Sequence, residues 1–141
     1  MLRILVPVDG SENSLRAVEQ LAKKLEWYRD TPEVHLLNVQ HALPSDVSRF
    51  VSRDDINQYH HDEGIKALEA ARAALTAKGV QHAIHISVGD PAETIVRYVR
   101  DKKIDQIVMG ARGLGAIGNL LLGSVATKVI HLADVPVLLI K

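Results

Sequence analysis

The sequence predicts an α/β fold: a single doubly wound, open, five-stranded parallel sheet with helices on both faces. Three observations carry this. Five short runs rich in Ile, Leu and Val alternate with four longer stretches of helical period, the pattern of βαβ units joined by right-handed crossovers. The first run, LRILVPV at 2–8, shows little polar alternation, as expected of a strand covered on both faces. Turn and capping residues punctuate the runs: Asp9, Gly10 and Ser11 after the first, Gly79 and Asp90–Pro91 around the third.

Taken in order, the strand at 2–8 is expected at the sheet's centre. Ser11 then caps a helix whose apolar positions are Leu15, Val18, Leu21, Ala22 and Leu25 and which ends near 30–32, with Trp27 and Tyr28 covering its inner face. A second strand spans 34–39. Residues 41–55, with Pro44, three serines and mixed charge, lack a period and read as a long loop. From 56 to 78, Ile65, Leu68, Ala71, Ala74 and Leu75 form one helical stripe that Gly79 stops. Strict alternation over 80–88 gives a strand with one drier face, expected at an edge. Asp90, Pro91 and Glu93 make a capped helix start, with Ile95, Val96 and Val99 inward. A strand at 104–109, a glycine-rich loop, a helix and a last strand at 136–140 complete the chain.

Composition narrows the function. A chain of 141 residues is long enough for one domain, 1–141, with a substantial core. Its 17 basic and 17 acidic side chains cancel, so no overall field favours nucleic acid. Cysteine is absent, which removes disulfides and thiolate metal sites and suits the cytoplasm. The opening MLRILVPVDG has too short an apolar run for a secretory signal or membrane span, so a cytoplasmic location without membrane insertion is expected.

The chemistry concentrates in GARGLGAIGNLLLGS at 110–124. Glycines at 110, 113, 115, 118 and 123 allow bare backbone N–H groups to approach an anion. Ser124 is placed to cap the following helix, which runs through Val125, Ala126, Val129, Ile130 and Leu132 and turns its positive end toward the loop. Gly113, Gly115 and Gly118 also spell the dinucleotide fingerprint, but that motif belongs between the first strand and first helix of a βαβ unit with an acid about 20 residues later. Here it comes late, and Asp134 precedes a strand. No Gly-Lys-Ser/Thr P-loop is present.

The spacing Gly110, two residues, Gly113, nine residues, Gly123–Ser124 resembles the nucleotide-binding signature of the universal stress protein family, in its ATP-binding branch. The resemblance spans the chain, from ILVPVDGS through VGDP at 88–91 to VPVLLIK. It implies strand order 3-2-1-4-5, which brings Val8 to Ser11 and the glycine loop together at the switch point between strands one and four. It implies ATP as ligand; Mg or Mn is expected with the triphosphate, held mainly by phosphate and water. It also implies these contacts: Asp9 by adenine and ribose with Pro7 and Val8 beside it, the Val39 backbone on adenine, Met109 and Gly110 at the end of strand four, and Gly113, Gly123 and Ser124 around the phosphates. Val125 can offer a backbone N–H in the helix's first turn, and Arg112, the only cation inside the cradle, can reach a phosphate as a charge-assisted donor. Ala111 departs from the Ser or Thr many relatives carry.

Other candidates weigh less. A solvated loop arginine is as good a reading of Arg112, and a turn former of Asn119. His60, His61, Asp62 and Glu63 are sequence neighbours that do not share one helix face, so a solvated helix start outweighs a metal cluster. No Ser–His–Asp set and no catalytic lysine in the loop are present, so no catalytic residue is assigned. The expected function is a nucleotide-dependent switch on a protein partner, the alternative a slow ATP hydrolase or phosphotransfer protein using the same pocket. Val137, Leu138, Leu139 and Ile140 present an apolar strand edge, from which a homodimer through 136–140 is expected.

Overall fold

β1 (Arg3–Pro7) takes the central place because its residues tolerate burial on both faces: Ile4, Leu5 and Val6 are fully buried. In the computed structural model, which describes residues 1–114 and 121–141, β1 pairs in parallel with β2 (Glu33–Gln40) on one side and β4 (Gln106–Gly110) on the other. β3 (His82–Val88) flanks β2 and β5 (Val137–Ile140) flanks β4, so the order is 3-2-1-4-5 and every pairing is parallel. Gly115, Gly118 and Asn119 lie outside the described residues.

The period-two alternation of strands sorts the core into two layers. Ile4, Val6, Val8, Val34, Leu36 and Val108 point toward α1 (Glu12–Lys24) and α3 (Arg53–Ala77). Leu5, Leu37, Ile107 and Met109 point the other way, toward α4 (Pro91–Asp101) and α5 (Ser124–Leu132). Side-chain caps start three helices: Ser11 accepts the Ser14 N–H, Ser52 the Asp55 N–H and Asp90 the Glu93 N–H, each at 3.1 Å. α3 ends as expected at Gly79, whose φ of +68° lets the Val80 N–H reach the Leu75 carbonyl at 2.9 Å.

Several expectations need correction. Ser52 caps α3, so that helix begins at Arg53 instead of 56. A single turn, α2 (Ser45–Ser48), sits within the stretch read as loop, closed by Val47 and Ser48 N–H bonds to the Pro44 carbonyl. α1 gives way to a 3₁₀ turn, Leu25–Trp27. Trp27 is 74% exposed and carries the Lys24 ammonium 4.4 Å from its ring centre; Tyr28 alone packs on the core. His60 is buried, not solvated, because it falls in phase with Gly64, Leu68, Ala71 and Leu75 on the inner face of α3. Gly123, not Ser124, is the cap residue of α5, and Ser124 opens the helix itself.

Candidate functional site

In a doubly wound sheet the crevice opens where neighbouring connections leave on opposite faces, here beyond the carboxyl ends of β1 and β4. A cavity of about 750 Å³ lies there. Every residue expected to contact the nucleotide lines it: Pro7 from β1 with Val8 and Asp9 just beyond it, Val39 from β2, Met109 and Gly110 from β4, Arg112 and Gly113 from the loop, Gly123, Ser124 and Val125 from the start of α5. These come from four separated stretches of chain, joined by the strand order.

Asp9 holds the loop in place. One carboxylate oxygen accepts the Ser11 N–H at 2.9 Å and the other the Leu114 N–H at 3.0 Å, across 105 residues. Burial pushes its carboxyl up, but the neighbouring Ser11 and Ser14 hydroxyls and the N–H groups of Ser11 and Leu114 together outweigh burial. The net position is below the ordinary 3.8, and Asp9 is ionised at neutral pH.

Gly110 and Gly113 are required for reasons the sequence did not disclose, and Gly123 sits at a tight approach. A Cβ on Gly113 would collide with the Asp9 carboxylate, so this position is bare to let the clamp close. A Cβ on Gly110 would lie 2.6 Å from Asn13 Oδ1. At Gly123 a Cβ would lie 3.3 Å from Arg112 Cα, and the Gly123 N–H donates to the Ala111 carbonyl at 2.7 Å, closing the loop at its base. The N–H groups of Arg112, Leu114 and Gly123 are thus spent on protein acceptors. The Gly113 N–H has no acceptor among the described residues, and α5 starts without a side-chain cap at Ser124 and Val125. These are the donors that a helix N-terminus leaves for an anion.

Sequence reading missed several walls. α3 contributes Glu63, Lys66, Ala67 and Ala70, β2 runs on to Gln40 and His41, and α4 adds Pro91 and Ile95. Charges in the lining are balanced, with Asp9 and Glu63 against Lys66 and Arg112, and Lys66 lies 3.7 Å from Glu63. Asn38, 2% exposed, donates to the Val8 carbonyl at 2.8 Å and fixes the end of β1. Asn13 was also missed. It is a polar residue in phase with buried Ala17 and Leu21, which is a readable signal for a buried amide with fixed partners.

Fold and crevice define a doubly wound α/β protein with a glycine-bearing loop walling the crevice at its switch point. The chain belongs to the universal stress protein family, whose family model matches residues 1–141. It is similar to universal stress protein YxiE of Bacillus subtilis, 31% identical over 150 residues that cover 99% of this chain and 98% of the relative. Among solved structures it is similar to the hypothetical protein MJ0577 of Methanocaldococcus jannaschii, with a TM-score of 0.84, 30% identity and coverage of 99% and 95% of the two chains. A universal stress protein solved in complex with cAMP matches with a TM-score of 0.72, 25% identity and coverage of 99% and 97%. No helix among the described residues is long and apolar enough to cross a membrane.

Proposed function

We propose that this protein binds ATP in the crevice and acts as a nucleotide-dependent regulator of a protein partner in the cytoplasm, with hydrolysis slow or absent. The observation that carries the reading is the convergence of the signature glycines, Asp9 and the uncapped start of α5 on one cavity. The cAMP complex of a family member supports an adenine nucleotide as the ligand class. Phosphate oxygens take the N–H groups of Gly113, Ser124 and Val125, with Arg112 as a charge-assisted donor, and adenine lies toward Val39.

The carboxylates lining the crevice are Asp9 and Glu63. Asp9 carries two amides and is held below the ordinary carboxylate range, which makes it a poor base for activating water. The same residues do not fit a metal held by the protein. Both Asp9 oxygens are engaged, and no cluster of three or more ligating side chains occurs among the described residues. Magnesium or manganese therefore arrives on the nucleotide's phosphates, held there by phosphate oxygens and water.

The responsive surface is the 41–52 connection, which leaves the crevice at His41 and exposes Val47, Phe50 and Val51. A homodimer forms through the free edge of β5, where Leu138 is 40% exposed. Mass spectrometry of the protein denatured directly after purification should release an adenine nucleotide, and hydrogen exchange should show 41–52 protected by added ATP. Absence of any nucleotide together with no calorimetric binding of ATP or AMP overturns the proposal. Turnover at about 1 to 10³ per second promotes the hydrolase alternative.

A further inference from the structure

We propose that Asn13 is a positioning residue that sets the glycine loop in register against the end of β5, and that nucleotide affinity depends on it. The inference deepens the proposed function and rests on the crevice being a nucleotide site. Asn13 lies in the first turn of α1, is 6% exposed, and reaches across the sheet to two distant segments. Its Oδ1 accepts the Arg112 N–H at 2.7 Å, and its Nδ2 donates to the Ile140 carbonyl at 3.1 Å. That carbonyl also accepts the Ala111 N–H at 2.7 Å. One amide and one carbonyl thus fix the loop's first two residues after β4 and tie them to the edge strand.

The geometry demands asparagine. A single planar group must accept on one side and donate on the other, which aspartate cannot do and glutamine does at a different reach. Gly110 confirms the fit from the opposite side, because its missing Cβ is where the Asn13 amide sits, 2.6 Å from Oδ1 and 3.0 Å from Cγ. With Arg112 N–H donated to Asn13 and Leu114 N–H donated to Asp9, the N–H of Gly113 between them has no acceptor among the described residues and falls to the proposed ligand. The two clamps, both from the β1–α1 junction, select which loop amide faces the crevice. Because the Ile140 carbonyl serves both Asn13 and Ala111, the β5 edge and the loop share one hydrogen-bonding centre.

The test uses the full chain carrying Asn13→Ala and Asn13→Asp, with Leu75→Ala as a control for lost stability, since Leu75 is fully buried and does not line the crevice. Amide exchange is followed residue by residue by NMR, and ATP affinity by calorimetry. In Asn13→Ala the Arg112 amide should exchange at least tenfold faster and ATP should bind about tenfold more weakly, equivalent to about 1.4 kcal/mol. In Asn13→Asp the Arg112 amide stays protected while Ala111, beside the now repelled Ile140 carbonyl, exchanges faster and affinity falls. Leu75→Ala should bind ATP as the wild type does. Unchanged Arg112 exchange in folded Asn13→Ala overturns the proposal, as does faster exchange with unchanged affinity. If Asn13→Ala fails to fold, the Asp variant decides: Ala111 exchange or affinity equal to wild type overturns it. A wild-type protein that binds no ATP refutes the nucleotide reading instead, and the Arg112 and Ala111 exchange rates, which need no ligand, then decide whether Asn13 holds the loop.

Discussion

Asp9 and Gly113 should be energetically coupled, and a double-mutant cycle measures it. Asp9→Ala removes two hydrogen bonds to an ionised acceptor, at 2.9 and 3.0 Å. Bonds to charged groups contribute about 1.5 to 3 kcal/mol each, and the Leu114 bond is solvent-exposed, so the lower end applies and the loss of both should be about 3 kcal/mol. Gly113→Ala alone drives a Cβ into the Asp9 carboxylate and breaks the Leu114 bond, at a cost of about 1 to 3 kcal/mol. Once Asp9 is alanine, that collision is gone and Gly113→Ala should cost little more. Urea unfolding of the four proteins at neutral pH reads the cycle. The stabilisation from Asp9 needs its carboxylate: with a folded pKa below 3.8, it is complete above that value and lost as pH falls through the folded pKa. The difference between wild type and Asp9→Ala should therefore shrink in acid. Costs that add within about 0.5 kcal/mol refute the clamp.

Three further outcomes follow from packing and charge. Gly64→Ala should destabilise by about 1 to 2 kcal/mol despite the better helix propensity of alanine, because its Cβ would lie 2.7 Å from Ile86; on an Ile86→Ala background the same change should be neutral or stabilising by thermal unfolding. Lys103 adopts φ of +52° at the end of α4, so Lys103→Gly should raise stability by about 0.5 to 1 kcal/mol in urea titration. His85 stacks on His35 at 5.9 Å, with Tyr98 edge-on, and burial, His35 and Lys102 hold its pKa below 6.5. The neutral ring is favoured in the fold, so stability should be full above 6.5 and fall as pH drops toward the folded value; Glu33, bonded to His35 and Arg3, and Tyr98, bonded to His35, are unchanged in His85→Gln, which should flatten the decline of Tm between pH 7 and 5.

The fold was legible because parallel strands buried on both faces leave unbroken apolar runs, and Gly79, Asp90 and Pro91 mark their ends in chemistry that acts locally. The crevice wall was legible for a related reason: Gly110, Gly113, Gly123 and Asp9 hold fixed spacings and all four line the cavity. What escaped was whatever depends on contacts across the fold. Nothing local in Asn13 names Ile140 as its partner 127 residues away, and the collision that keeps Gly113 bare lies with Asp9, not with a ligand. Glu63 and Lys66 join the crevice only because α3 packs beside α1, and His60 is buried by helical phase where charge-rich neighbours suggested solvent.

Nucleotide binding in the crevice is read directly by titrating the isotopically labelled protein with ATP and following backbone amide resonances. Binding at the switch point predicts that Gly113, Ser124 and Val125 shift first and furthest, with Val39 responding at the adenine end, while Arg112 and Leu114 amides, already bonded to Asn13 and Asp9, move less. No shifts at millimolar ATP, or shifts confined to residues outside the crevice, contradict it.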